Sequence, residues 1–329
     1  MTEKSKIQNL KSKIAFIFPG QGSQSVGMGK NICDNFPAAK QVFEEADDAL
    51  GFKLSEMCFA GTPEDLALTA NTQPAILTVS IAALCAMEAE NFPKPDYVAG
   101  HSLGEYSALV AAGAMSFFDA VKIVRRRGEY MQEAVSVGAG AMAAILGLDL
   151  ATVESACDEA AGGQVCSPAN INSPTQIVIA GDAEAIDRAI EILKNKGAKR
   201  AIKLNVSAPF HCALMLPAQE KLATYLRQID FADLKFPIIE NVSAEANIKG
   251  ERVRIALTEQ VSNPVRWNES VEKLVADGVE TFVEIGAGKI LSGLVKQINR
   301  DVRCLSVENP DSLKVSLESL KSLGSLESL

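Results

Sequence analysis

Residues 96–115 read DYVAGHSLGEYSALVAAGAM: an apolar run, a serine between glycines and then a helix-like segment. The pattern G-x-S-x-G at 100–104 predicts a sharp turn from a strand into a helix, because glycine tolerates the backbone strain of such a turn. A helix N-terminus at this point would aim backbone N–H groups at an acyl oxygen. The segment therefore predicts an exposed nucleophile, Ser102. The alternative is an ordinary turn in which Ser102 only caps the helix.

Further apolar, β-branched runs bounded by glycine or proline predict the rest of a sheet. Their apolarity is continuous rather than alternating, which is typical of strands covered by helices on both faces. We therefore expect an α/β fold with a mostly parallel sheet flanked by helices. The runs are IAFIF (14–18), DYVAG (96–100), FPIIENV (236–242), VETFVEI (279–285) and VRCLSV (302–307).

Residues 137–207 predict a different order of elements: strand, helix, two strands, helix and strand. This βαββαβ order is that of the split-βαβ or ferredoxin-like unit. We therefore predict a small inserted domain at 137–207 and a large α/β domain formed by 1–136 and 208–329.

Leucines in the Ser-Leu repeats that end the chain could line a helix face, but the repetition and Gly324 favour a frayed or artificial end.

Composition narrows the possible functions. The 329 residues include 32 Lys plus Arg and 41 Asp plus Glu, a net charge of -9, and no basic run indicates a nucleic-acid partner. Seven scattered cysteines without a C-x-x-C pair indicate neither disulfides nor a zinc site, and favour a reducing cytoplasm. A polar N-terminus and the lack of a long apolar stretch predict neither a signal peptide nor a membrane span.

The chain has only two histidines, and a serine nucleophile needs a base within hydrogen-bond reach. His101 adjoins Ser102 on a sharp turn, where neighbouring side chains diverge, so it is better placed to line a pocket. His211, in APFHC just after the predicted insert, is the candidate general base; a buried core histidine is the alternative. The acids between Ser102 and His211 lie in predicted helices or in the predicted insert, and none stands at an obvious strand end, so a Ser-His dyad is favoured over a triad.

Two glycine-rich segments invite other interpretations. PGQGSQ (19–24) follows the first strand, but Ser25 stands where a dinucleotide-binding motif needs its third glycine, so we expect a loop whose amides bind an oxyanion together with Leu103. EIGAGK (284–289) lacks the residues that a phosphate-binding loop needs at 283 and 290, and predicts a tight turn.

Seven motifs in a fixed order then carry a family resemblance. The chain resembles the malonyl-CoA:acyl carrier protein transacylases of fatty-acid synthesis, and more broadly the acyltransferase domains of polyketide synthases. The resemblance covers about residues 13–308. The motifs are FPGQGSQ (18–24), TQPA (72–75), GHSLGE (100–105), RRGEYMQEA (126–134), NINSP (170–174), APFHC (208–212) and QVSNPVRW (260–267).

The resemblance implies a hydrolase-like core with a ferredoxin-like insert, and a site for transfer through an acyl-serine. Ser102 would be the nucleophile and His211 its base, with the imidazole held by backbone carbonyls that include one near Gln260. The backbone N–H groups of Gln21 and Leu103 would form the oxyanion hole.

The resemblance also implies a substrate and partners. Arg127 would bind the free carboxylate of malonyl, which suits the two-pronged donor geometry of a guanidinium, and Phe210 resembles the malonyl-selective form. His101, Asn170 and Gln260 complete the implied substrate site. The expected partners are malonyl-CoA and an acyl carrier protein that presents a phosphopantetheine thiol. The protein is expected to be a cytoplasmic monomer that needs no metal or other cofactor and binds neither nucleic acid nor membrane.

Two other functions remain open at this level. A serine esterase or thioesterase would share the nucleophile and turn but would let water deacylate the enzyme. A non-catalytic subunit that docks a carrier protein would not need the site residues at all.

Overall fold

The computed structural model describes residues 12–206 and 208–326 of the chain. The strands are β1 (Lys13–Phe18), β2 (Tyr97–Gly100), β3 (Gly140–Leu146), β4 (Cys166–Ser173), β5 (Gln176–Asp182), β6 (Arg200–Lys203), β7 (Ile238–Ile239), β8 (Ala246–Asn247), β9 (Val279–Ile285) and β10 (Arg303–Val307). The helices are α1 (Lys30–Asn35), α2 (Pro37–Leu50), α3 (Leu54–Ala60), α4 (Pro63–Ala67), α5 (Thr69–Ala89), α6 (Gly104–Ala111), α7 (Phe117–Glu133), α8 (Leu150–Ala161), α9 (Ala183–Asn195), α10 (Leu216–Leu226), α11 (Gly250–Gln260), α12 (Trp267–Ala276), α13 (Ile290–Ile298) and α14 (Pro310–Leu326).

The larger sheet has the strand order β10-β9-β1-β2-β7-β8. Its strands are parallel except for the final pair, β7 and β8. Phe18 lies opposite Gly100 in the register, so β1 and β2 end side by side and their following loops meet at one edge. The predicted run 236–242 forms a much shorter strand than expected, because its polar end leaves the ladder immediately after Ile239.

Both faces of this sheet are buried, as the continuous apolar runs predict. In β1, Phe16 and Phe18 pack into the main core, whereas Ala15 and Ile17 pack into a second core on the opposite face. The second core is built around Trp267, which is fully buried. A mostly parallel α/β sheet is therefore confirmed.

A separate antiparallel sheet, with the order β4-β5-β3-β6, lies between α7 and α10 in sequence. Helices α8 and α9 pack on it, and their apolar side chains share a core with Ile145, Ile177 and Ile179. Strand β4 also pairs outside this sheet, because Asn170 forms an isolated parallel bridge with Val265 in the segment between α11 and α12. This second sheet therefore contacts the rest of the fold through β4, which also packs against α12 and α13.

Helix α5 is long and apolar enough, at 21 residues, to pass a composition test for a membrane span. In the structure 83% of the most apolar stretch of α5 is buried, and the helix packs against α2 and α7. Its position in the core accounts for its composition.

The end of the chain differs from the expectation of a frayed end. Residues 310–326 form α14, and Leu313, Leu317 and Leu320 are buried against the main core. The Ser316 hydroxyl donates to the Ser306 carbonyl of β10 at 2.9 Å. The prediction of a frayed end was wrong because three leucines at helical spacing pack on an apolar surface beside β10. The last three residues, 327–329, lie outside the described residues.

Candidate active site

The turn after β2 places Ser102 at the edge of the sheet in a strained backbone conformation. Its φ angle is 50°, in the left-handed region that residues other than glycine rarely adopt. A Cβ atom on Gly100 would lie 2.0 Å from the Gly104 carbonyl oxygen, and one on Gly104 would lie 2.0 Å from the Phe18 carbonyl oxygen. Only glycines permit this close approach, so the G-x-S-x-G spacing has a direct steric cause.

Ser102 and His211 are brought together from positions more than 100 residues apart. Ser102 Oγ lies 2.7 Å from His211 Nε2, and His211 Nδ1 lies 2.8 Å from the Gln260 backbone oxygen. A carbonyl oxygen only accepts hydrogen bonds, so Nδ1 carries the ring proton and Nε2 presents its lone pair to the serine hydroxyl. The arrangement is suited to a serine nucleophile with a histidine base, and a backbone carbonyl orients the imidazole.

The surroundings of His211 keep its imidazole neutral. Burial and, to a smaller extent, the positive charge of Arg127 lower its pKa to about 3, although the bond to the Gln260 carbonyl partly opposes them. A neutral imidazole can accept the serine proton at physiological pH.

We expect His211 to remain neutral between pH 8 and pH 5. The ring resonances of the two histidines can be followed by NMR and assigned with a His101→Gln variant; the His211 signals should not move near pH 6.5. Because an unfolded histidine titrates near pH 6.5, the unfolded chain takes up this proton first, and the free energy of unfolding should fall as the pH drops below about 6.5. A His211 midpoint close to 6.5 would contradict the neutral-base assignment.

Arg127 is a buried cation beside Ser102. Its side chain is 1% exposed; Nη2 donates to Ser102 Oγ at 3.0 Å and to Gln260 Oε1 at 2.8 Å, and Nη1 donates to Gln73 Oε1 at 2.8 Å. None of the ion pairs among residues 12–206 and 208–326 includes Arg127, and its Nε has no hydrogen-bond partner there. Burial of an unpaired charge is costly, so the site favours an anion that binds next to Ser102.

The two arginines before Arg127 point elsewhere. Arg125 pairs with Glu129 at 2.9 Å, and Arg126 is more exposed and pairs with the same carboxylate. Consecutive residues on a helix diverge by about 100°, which is why only one of the three enters the site.

A cavity of about 120 Å³ lies in front of Ser102 and His211. Most of the predicted site residues line it, whereas Gln260 is fully buried behind it and reaches the site through its hydrogen bonds. A neighbouring cavity of about 180 Å³ shares Gln21, His101 and Asn170 with the first and continues between the second sheet and α13. The predicted residues that line the first cavity are Gln21, His101, Ser102, Leu103, Arg127, Asn170, Phe210 and His211.

The loop after β1 lies directly against the serine turn. A Cβ atom on Gly20 would lie 2.4 Å from the His101 carbonyl oxygen, so this loop needs glycine for close approach. The backbone N–H groups of Gln21 and Leu103 are not among the donors of backbone hydrogen bonds in the described parts of the chain. Both residues line the cavity, where such amides can receive an oxyanion.

Asn241 is a site residue that the sequence analysis missed. Its Oδ1 accepts a hydrogen bond from the Ser102 backbone N–H at 2.7 Å, and its Nδ2 donates to the Gly100 carbonyl at 2.7 Å. The Asn241 side chain therefore forms hydrogen bonds with the backbone at two points of the strained turn and stabilises it. Its position just after the apolar run of β7, at the same sheet edge as Ser102, was the available signal.

The segment 284–289 forms the tight turn that the sequence predicts between β9 and α13. Gly286 and Gly288 have positive φ angles, and the Glu284 carboxylate accepts from the Leu291 and Ser292 amides. An acid therefore already occupies this helix N-terminus. No cluster of three or more His, Cys, Asp or Glu side chains suited to a metal occurs in the described residues.

Comparisons with known proteins give one consistent family. The model of the acyl transferase domain matches residues 15–313. The malonyl CoA-acyl carrier protein transacylase of Bacillus subtilis is 52% identical over 311 residues, which is 94% of this chain and 98% of that protein. The enzyme of the same name from Escherichia coli K12 is 48% identical over 307 residues, covering 93% of this chain and 99% of its own.

Solved structures agree with these sequence matches. A malonyl CoA-acyl carrier protein transacylase from Clostridium perfringens superposes with a TM-score of 0.93 at 44% identity, over 97% of this chain and 100% of the other. A malonyl-transacylase solved in complex with a type II polyketide synthase acyl carrier protein gives a TM-score of 0.92 at 46% identity, over 94% and 100% of the two chains.

Proposed function

The chain belongs to the acyl transferase domain family, and from this premise we propose that it transfers malonyl from malonyl-CoA to the phosphopantetheine thiol of an acyl carrier protein. The reaction supplies the extender unit for fatty-acid synthesis. The observation that carries the proposal is the buried, unpaired Arg127, whose Nη2 lies 3.0 Å from the nucleophile Ser102.

The first half-reaction forms a malonyl ester on Ser102. His211 Nε2 takes the hydroxyl proton as Oγ attacks the thioester carbonyl, and the Gln21 and Leu103 amides stabilise the oxyanion. The C–S bond then breaks, and the imidazolium returns the proton to the departing CoA sulfur. The bond from Nδ1 to the Gln260 carbonyl holds the ring in place during both proton transfers.

The second half-reaction repeats these steps with the carrier protein. His211 takes the proton of the phosphopantetheine thiol, the sulfur attacks the ester carbonyl, and Ser102 leaves with the proton. The adjoining 180 Å³ cavity between the second sheet and α13 offers the thiol a route to the serine. The dyad, the amides and the guanidinium supply the acid–base and electrostatic chemistry, so the proposed cycle uses no metal or redox cofactor.

Selectivity for malonyl follows from charge. A guanidinium offers paired donors to a carboxylate, and the free carboxylate of malonyl would bind Arg127 while its thioester carbonyl meets Ser102. Acetyl has no such carboxylate. The apolar side chains of Phe210, Met131 and Met142 line the rest of the cavity and leave little room for a larger acyl group.

Intact-mass spectrometry tests the proposal directly. After incubation with malonyl-CoA, the protein should gain one malonyl group, mapped to the peptide that contains Ser102, and addition of phosphopantetheinylated carrier protein should remove it. Acetyl-CoA at the same concentration should give much less adduct. Steady release of free malonate without a carrier protein would instead indicate a thioesterase.

The remaining assignments are proposals of the same kind. We assign residues 137–207 as a ferredoxin-like insert in a hydrolase-like domain of 1–136 and 208–329; the βαββαβ order and the antiparallel sheet order β4-β5-β3-β6 support this. The protein acts as a cytoplasmic monomer, a location supported by its seven free cysteines. Nucleic acid and membranes have no part in the proposed cycle.

A further inference from the structure

Glu105 ends the GHSLGE segment and has no part in the two half-reactions. It lies in the first turn of α6 and is 2% exposed. Its Oε2 accepts a hydrogen bond from Gln260 Nε2 at 2.6 Å and a longer one from the Asn241 backbone N–H at 3.4 Å. A buried carboxyl thus contacts two residues that themselves hold the nucleophile, the base and the arginine.

Gln260 connects Glu105 to all three functional side chains. Its Nε2 also donates to the Ser102 carbonyl at 2.9 Å, its backbone oxygen accepts from His211, and its Oε1 accepts from Arg127 at 2.8 Å. An amide nitrogen only donates hydrogen bonds, so Nε2 must face the two acceptors and Oε1 must face the guanidinium. The acceptors on the Nε2 side therefore determine the group that Arg127 meets.

We propose that Glu105 is a positioning residue for malonyl selectivity: its carboxyl fixes the orientation of the Gln260 amide, and the amide fixes the Arg127 guanidinium beside Ser102. Without this acceptor, the Gln260 amide can rotate and turn Nε2 toward Arg127, which places donor against donor. Arg127 would then lose the alignment that the malonyl carboxylate requires. The inference deepens the proposed function and rests on it.

The charge state of Glu105 suits this role. Burial raises its pKa to about 8; Gln260, the Asn241 amide and Arg127 lower it, and Glu240 raises it. Tyr106, the next residue on α6, has a pKa raised by burial, so it remains neutral. A mostly neutral Glu105 at pH 7 accepts from Gln260 without offering Arg127 an anion that would compete with the malonyl carboxylate.

The first test compares kcat/KM for malonyl-CoA and for acetyl-CoA in Glu105→Met and Glu105→Gln. Methionine fills similar space but offers only a weak thioether acceptor, and we expect the malonyl-to-acetyl ratio to fall about tenfold, as for loss of a buried hydrogen bond. Glutamine keeps an acceptor oxygen and should preserve most of the ratio. Asp47→Ala, which removes a buried carboxylate that accepts from Ser55 and lines neither cavity of the site, is the matched control. It should lower the melting temperature without changing the ratio.

The second test uses pH and needs only the wild type and Glu105→Gln, which keeps the shape of the side chain. Ionisation of Glu105 above about pH 8 places a negative charge near Arg127, so the wild-type KM for malonyl-CoA should rise there while that of Glu105→Gln stays flat. An unchanged ratio in Glu105→Met, or identical pH profiles in wild type and Glu105→Gln, would overturn the positioning role. Failure of the wild type to transfer malonyl at all would instead overturn the proposed function.

Discussion

Replacing Ser102 with alanine is expected to abolish acylation by malonyl-CoA and to lower malonyl transfer by roughly a million-fold, the effect of losing the serine in a comparable Ser-His enzyme. The reason is that alanine removes the hydroxyl whose Oγ lies 2.7 Å from His211 Nε2, at the cavity that Gln21 and Leu103 also line. The measurements are the single-turnover rate of CoA release and the intact mass of the protein.

Ser107→Ala is a matched control for this variant. Ser107 is a fully buried serine five residues further along, and its Oγ has no partner among the described residues. Its loss should leave both acylation and transfer close to wild type. If Ser102→Ala still gained a malonyl group, the nucleophile assignment and the two half-reactions built on it would be wrong.

Replacing Arg127 with alanine is expected to lower kcat/KM for malonyl-CoA by roughly 30- to 5,000-fold, which corresponds to the loss of one partner of a buried charge pair, about 2–5 kcal/mol. Transfer of acetyl should fall much less, since acetyl has no carboxylate to lose its partner. Arg127→Lys keeps the charge but not the paired donors. Its kcat/KM for malonyl-CoA should therefore lie between that of the wild type and that of Arg127→Ala. Rates for both thioesters are measured side by side.

Arg126→Ala controls for a change on the same helix. Arg126 pairs with Glu129 at the surface, and exposed pairs of this kind contribute little to stability. The Arg126→Ala variant should transfer malonyl and acetyl at rates close to those of the wild type. An equal loss of malonyl and acetyl transfer in Arg127→Ala would show that the arginine supports the structure of the site rather than selecting the carboxylate.

Much of the site could be predicted from sequence because its parts are local patterns. The glycines around Ser102 are required by contacts within a few residues and with the neighbouring strand end. Because the chain has only two histidines and His101 adjoins Ser102, the sequence predicts His211 as the base. The Ser-Leu tail shows the limit of local patterns: the helical spacing of Leu313 and Leu317 is visible in the sequence, but their burial depends on a surface supplied by β10.

The sequence by itself determined the α/β class and the serine turn, and its family resemblance predicted the nucleophile, the base and the carboxylate-binding arginine. Only the tertiary structure decided how these side chains work. The neutral state of His211 and the unpaired charge of Arg127 come from burial by distant segments, and desolvation is a property of the folded protein rather than of a motif. The role of Gln260 also depends on the tertiary structure. Its hydrogen bonds join residues 102, 105, 127 and 211, which are distant from Gln260 along the chain and are brought to it only by folding.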